Sequence, residues 1–259
     1  MANKKIKEQF WLWGHPLNSC QKYVAEKMEM TVTPAECARY FGLTNIYYVP
    51  WGHDMDMKEY GKDQKGIAKT GLSVETWGKR GDDPVEETFK LVPLLKNLNR
   101  LVFDDFFIKQ ENPAYIHTYN RMTVKELIKI RERIHAAGLE IWLVLYQHQL
   151  EMPEVPEFVK VFDGVSFWFW SEPTVESYHK YSQMFIDMTP EKRRLIGCYL
   201  YNFGKKQSAN PELVRYQLDR NKELMKKGLI EGVVLHNNNF GGLNIAAYEE
   251  AKKWMDEQN

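Results

Sequence analysis

A (β/α) barrel is the fold this chain predicts, and three observations carry the expectation. Short aromatic and β-branched runs alternate with longer amphipathic stretches about seven times, the order that builds a parallel sheet with covering helices. Segments leading into strands are brief, as in Ala-Gly-Leu-Glu before Ile141, whereas those leaving strands are long and polar. Barrels build their active face from the latter. Third, 259 residues match the roughly 250 of one such barrel. No Pro/Ser-rich linker or break in composition divides them. A single domain over residues 1–259 is expected, with about seven to eight βα units and a missing or irregular eighth. A doubly wound open sheet is disfavoured because no G-x-G-x-x-G follows a strand.

The strands are expected at 10–13, 46–49, 101–107, 141–146, 165–170, 196–201 and 232–235. Each is short, rich in Val, Ile, Phe, Tyr or Trp, and closed by polar or turn-forming residues, as buried strands are. Thr33, Pro34 and Glu36 supply a cap, a first turn and a capping box for a helix over 34–41, which Gly42 stops. Residues 53–82 read as one long loop. Asp83-Pro84 opens a helix running to about Leu98. Thr123 and Glu126 form a second capping box, and Val124, Leu127, Ile128, Ile130 and Ile134 give the stripe of a helix ending at Gly138. Further helices follow Glu172-Pro173-Thr174, Asn210-Pro211 and Asn244.

Composition narrows the function. The 35 Lys+Arg balance 35 Asp+Glu, so the surplus of positive charge that a nucleic-acid partner requires is missing. No apolar run approaches the roughly 20 residues needed to span a bilayer. With 44% hydrophobic and 14% aromatic residues, the chain is neither disordered nor collagen-like. Cys20, Cys37 and Cys198 are too far apart for a C-x-x-C pair, so a disulfide framework or structural zinc is not expected. Cys198 reads as a small core residue. Positive charges near Met1 lack a following apolar segment. A cytoplasmic location is the default expectation, or a secreted or periplasmic one if a leader has been trimmed. The oligomeric state stays open.

Polar groups follow nearly every strand: His15; Trp51, His53 and Asp54; Asp104 and Asp105; Gln147 and His148; Trp170 and Glu172; Tyr201 and Asn202; His236 and Asn237. In a barrel these ends surround one pocket. Carboxylates and amides hydrogen-bond hydroxyls, and flat rings cover the apolar faces of sugars, so the constellation points to a carbohydrate ligand. Strand alternation would send Asp104 and Asp105 to opposite sides, leaving one in the pocket. Glu172 would share a strand face with Trp168 and Trp170, and a carboxyl beside indole favours its protonated form. Trp168, Trp170, Tyr199 and Tyr201 read first as barrel filling.

On the strand end Asp104-Asp105, Glu172 and this aromatic rim, the chain resembles the TIM-barrel glycoside hydrolases. It carries neither D-x-x-D-x-D-x-E nor an Asn-Glu strand end. The resemblance implies cleavage of an oligosaccharide or glycoside, with Glu172 as proton donor and Asp104 or Asp105 as nucleophile or base. His15, Trp51, Gln147, His148, Trp170, Tyr201, Asn202, His236 and Asn237 would line the substrate pocket. No cofactor and no metal are assigned. Two alternatives stay open: a metal-dependent sugar isomerase, epimerase or lyase using His15, His148 and His236 with the acids, and a non-catalytic sugar-binding barrel. The charged segment 58–69 is a solvated loop that could close as a lid with Trp77 beneath it. The Gly-rich 239–244 reads as a turn in preference to a phosphate cradle.

Overall fold

The computed structural model describes residues 5–24, 28–50, 55–74, 77–78, 84–107, 116–117 and 122–258. Eight parallel strands close into a barrel: β1 Phe10–Gly14, β2 Asn45–Tyr48, β3 Lys69–Val74, β4 Leu98–Phe103, β5 Glu140–Tyr146, β6 Gly164–Trp168, β7 Arg193–Tyr199 and β8 Gly232–His236. β1 pairs with both β2 and β8, through Trp11 with Asn45 and Leu12 with Leu235, and this seam closes the cylinder. A helix follows each strand: α1 Pro34–Phe41, α2 Met57–Tyr60, α3 Pro84–Leu91, α4 Val124–Ala136, α5 Val155–Val159, α6 Val175–Met188, α7 Pro211–Lys226 and α8 Ala246–Asp256. Among the described residues, no helix is long and apolar enough to cross a membrane.

The expected irregular eighth unit is corrected by β3, which lies inside the segment read as one long loop. Its inward positions are Gly71 and Ser73, so the strand shows no run of large apolar residues. The reason is packing. A Cβ on Gly71 would stand 2.3 Å from the Tyr47 ring, so the small residue gives the neighbouring ring its space. The same device recurs at Gly164 against Trp142 and at Gly197 against Trp168.

The lid expectation is also corrected. Residues 58–69 are part of the barrel body: Arg39 makes a two-pronged ion pair with Asp63 at 2.8 and 2.7 Å, Asn97 Nδ2 donates to the Ile67 carbonyl, and Ile67 is buried. Trp77's side chain lies outside the described residues. The two capping boxes form as expected, Thr33 with Glu36 and Thr123 with Glu126. The helix expected to reach Leu98 ends at Leu91 and passes through a 3-10 turn, Val92–Leu94, with Leu98 already in β4.

Alternation along each strand decides which side chains fill the barrel. At its amino-terminal end the guanidinium of Arg100 is buried between the rings of Trp11 and Trp142, 4.2 and 4.0 Å from their centroids. Its charge is met by Glu140 at 3.4 Å and Glu231 at 3.7 Å, and it donates to the Tyr47 hydroxyl at 3.2 Å. Stacking and ion pairing offset part of the cost of desolvating this cation, whose Nε and Nη2 make no hydrogen bond among the described residues. Above this plug lies a layer of Trp13, Val102, Val144, Trp168 and Val234, all buried. Space opens only at the carboxyl-terminal ends of the strands.

Candidate active site

A cavity of about 540 Å³ occupies that end, within the size range of small-molecule sites. Its walls are mainly aromatic, with Trp13, Trp168, Trp170, Tyr146, Tyr199 and Phe203 among the rings. Asp104, Asp105 and Glu172 are its carboxylates, and no Lys or Arg lines it among the described residues.

Both aspartates reach the cavity, which corrects the expectation that alternation would separate them. β4 stops at Phe103, and Asp105 adopts a left-handed backbone with φ of 54°. Asp104 continues the inward series of Arg100 and Val102, while the turn swings Asp105 back to the same side. The Tyr146 hydroxyl lies 3.3 Å from Asp104 Oδ1 and 3.0 Å from Asp105 Oδ1, and Asp104 Oδ1 also accepts the backbone N–H of Asp105 at 2.9 Å. A phenol has one hydrogen to give. Shared between two carboxylates, that hydrogen leaves one of the two contacts without a full hydrogen bond, which favours a proton on one carboxyl. Burial pushes the Asp105 carboxyl above its ordinary range, against the pull of the Tyr146 hydrogen bond. Burial, with the two aspartates adding to it, holds the Tyr146 hydroxyl protonated.

Glu172 stands differently from the expectation. β6 ends at Trp168, so the shared strand face with Trp170 does not form. Instead Oε1 accepts the backbone N–H of Asn210, the cap of α7, at 2.7 Å, and Oε2 accepts from Asn202 Nδ2 at 3.3 Å with Lys205 Nζ 4.0 Å away. Glu172 borders the cavity while tying the loop after β6 to the loop after β7.

The histidines form a chain whose tautomers follow from their partners. The Asn239 backbone N–H fixes Asn237 Oδ1 as an acceptor at 2.8 Å, so Asn237 Nδ2 donates to His236 Nδ1 at 3.1 Å. His236 therefore carries its hydrogen on Nε2, 3.3 Å from His15 Nε2, and His15 Nδ1 donates to the Val49 carbonyl at 3.1 Å. Both imidazole lone pairs are committed. Burial, and then proximity to His15, press the His236 pKa well below its ordinary value. No group of three or more His, Cys, Asp or Glu able to hold a metal occurs among the described residues. Asn238 and Asn239 complete the seam, donating to the His15, Val32 and Pro16 carbonyls.

Of the pocket residues expected from sequence, His15, Trp170, Tyr201, Asn202 and His236 line the cavity. Gln147 and His148 do not. They occupy a 3-10 turn at the rim, where His148 lies parallel to Tyr146 and edge-on to Trp170. Asn237 is fully buried behind His236, and Trp51 falls outside the described residues. Sequence reasoning passed over Tyr146, Phe203 and Gln217 as cavity residues. Tyr146 was signalled by its place at a strand end; nothing in the sequence marks Gln217, which reaches the cavity from α7.

Three solved structures with the same fold are the catalytic domain of a hyperthermophilic chitinase from Pyrococcus furiosus (11% identity, 97% of this chain and 96% of that one, TM-score 0.61), the PgaB (BpsB) glycoside hydrolase domain from Bordetella bronchiseptica (11%, 97% and 99%, 0.55), and a chain of the tryptophan synthase complex from Pyrococcus furiosus (11%, 98% and 98%, 0.52). The barrel is thus one that glycoside hydrolases use and that other chemistries share. No family model and no curated protein matches the chain.

Proposed function

We propose that this barrel is a glycoside hydrolase-like enzyme whose proton carrier is Asp105 and whose nucleophile is Asp104. The supporting observation is the single Tyr146 hydroxyl between the two carboxyls, on the floor of an aromatic cavity. Two Oδ1 atoms within 3.3 and 3.0 Å of one oxygen stand closer than the roughly 6.5–9.5 Å that admits an inverting water. The scheme is therefore one that retains configuration. Asp104 attacks the anomeric carbon as the bond to the leaving oxygen breaks, and Asp105 gives its proton to that oxygen. Water then displaces Asp104 from the anomeric carbon, losing its proton to Asp105. Glu172, with both oxygens accepting hydrogen bonds from the wall, keeps the cavity's shape in this scheme. Trp170, 63% exposed at the mouth, offers a flat face to a sugar ring.

The test is a panel of aryl glycosides and oligosaccharides, with the anomer first formed followed by NMR. Asp105→Asn should lower turnover by about 10²–10⁴ while sugar binding persists. Turnover at the wild-type rate would remove Asp105 from the mechanism. Binding without turnover of any glycoside would favour a carbohydrate-binding barrel.

A further inference from the structure

Gln217 lies in the second turn of α7, on the helix's inward face, and is only 5% exposed, yet it borders the cavity. Its amide makes no hydrogen bond among the described residues and opens onto the cavity. An amide held at a cavity wall with no protein partner is open to the hydrogen-bonding atoms of a ligand. The cavity reaches it because the chain turns at the end of β6. Trp168 points to the barrel axis, whereas Phe169 faces the helix layer and stacks on Tyr178 at 5.0 Å. Phe169, Pro173 and Ala209 line the cavity along with Gln217, forming an apolar arm with one amide.

The layer behind the arm is polar as well. One helical turn further on the same face of α7, Asn221 Oδ1 accepts the Tyr178 hydroxyl at 2.7 Å. Its Nδ2, and Ser182 Oγ on α6, are buried without a partner among the described residues. The interior beside the arm therefore carries unspent hydrogen-bonding capacity.

We infer that this arm is a specificity pocket for an acylamino substituent of the sugar, an inference that rests on the carbohydrate reading above. A primary amide presents donor and acceptor in one plane, and a secondary amide returns one of each, so the two pair in complement. The acyl methyl would pack against the apolar wall of Phe169, Pro173 and Ala209. A bare hydroxyl would leave that apolar wall unfilled.

Saturation-transfer NMR with N-acetylglucosamine, N-acetylgalactosamine, glucose and galactose tests this on the intact protein. The acetyl methyl should receive the strongest saturation, with the acetylated sugars preferred about tenfold, the worth of one or two net hydrogen bonds. Gln217→Leu, of similar volume, should bring that preference close to one, with thermal unfolding showing that the fold persists. Gln217→Glu, which keeps the acceptor and removes the donors, should fall between the two. Equal binding of plain and acetylated sugars, or a preference that survives Gln217→Leu, overturns the inference and leaves the carbohydrate reading standing. If none of the four sugars binds while an oligosaccharide without acylamino groups does, the inference falls and the carbohydrate reading stands; if no glycoside or oligosaccharide binds, the carbohydrate reading falls with it.

Discussion

His236 Nε2 and His15 Nε2 lie 3.3 Å apart with one hydrogen between them, and this bond spans the seam where the last strand of the barrel meets the first. The chain from Asn237 to the Val49 carbonyl works only with both rings neutral, because a proton added to either sets two donors face to face.

Stability should therefore depend on pH. Above an ordinary imidazole pKa of about 6.5, His236 is neutral whether the chain is folded or unfolded, and its full contribution is present. Below that value the unfolded chain takes up a proton that the buried ring refuses. Stability is lost as pH falls, by up to about 1.4 kcal/mol per pH unit. Urea midpoints between about pH 7 and pH 5 measure this slope, and His236→Gln should flatten it. An equal slope in the variant would assign the effect elsewhere.

Asp105 carries the opposite sign. Burial raises its carboxyl, so above an ordinary aspartate pKa of about 3.9 the unfolded chain ionises more readily than the folded one. The group costs stability at neutral pH, and the cost fades as pH falls toward that value. Asp105→Asn should raise unfolding free energy at neutral pH by about 1 kcal/mol, as functional groups held in unfavourable settings often do when replaced. A midpoint below wild type at neutral pH would contradict this.

Gly197→Ala should be costly. A Cβ there would stand 2.1 Å from the Trp168 ring, so the indole would have to leave its place in the barrel layer. A loss of about 3 kcal/mol is expected from chemical denaturation, partly recovered when Trp168→Leu is added. Wild-type stability in the single variant would mean that the ring moves freely.

The residues that announced the fold are those whose local chemistry and burial agree. Capping boxes at Thr33 and Thr123, and apolar runs such as 141–146, need no tertiary information. β3 escaped notice because its inward residues had to be small beside Tyr47, which erased the usual strand signal. The aspartate pair was visible as a strand end, but the positive φ of Asp105 was not, and that turn brings both carboxyls to Tyr146. Glu172 was visible as an acid near indoles, while its partners Asn202 and Asn210 arrive from a different loop.

The order of strands and helices, the barrel class and the polar strand ends were determined by the sequence alone, since periodicity and caps act over a few residues. Which carboxyl shares a hydroxyl, which imidazole nitrogen bears hydrogen and which helix residue meets the cavity were decided only in three dimensions. Those outcomes depend on side chains as far apart in the chain as His15 and His236, whose meeting no local pattern encodes.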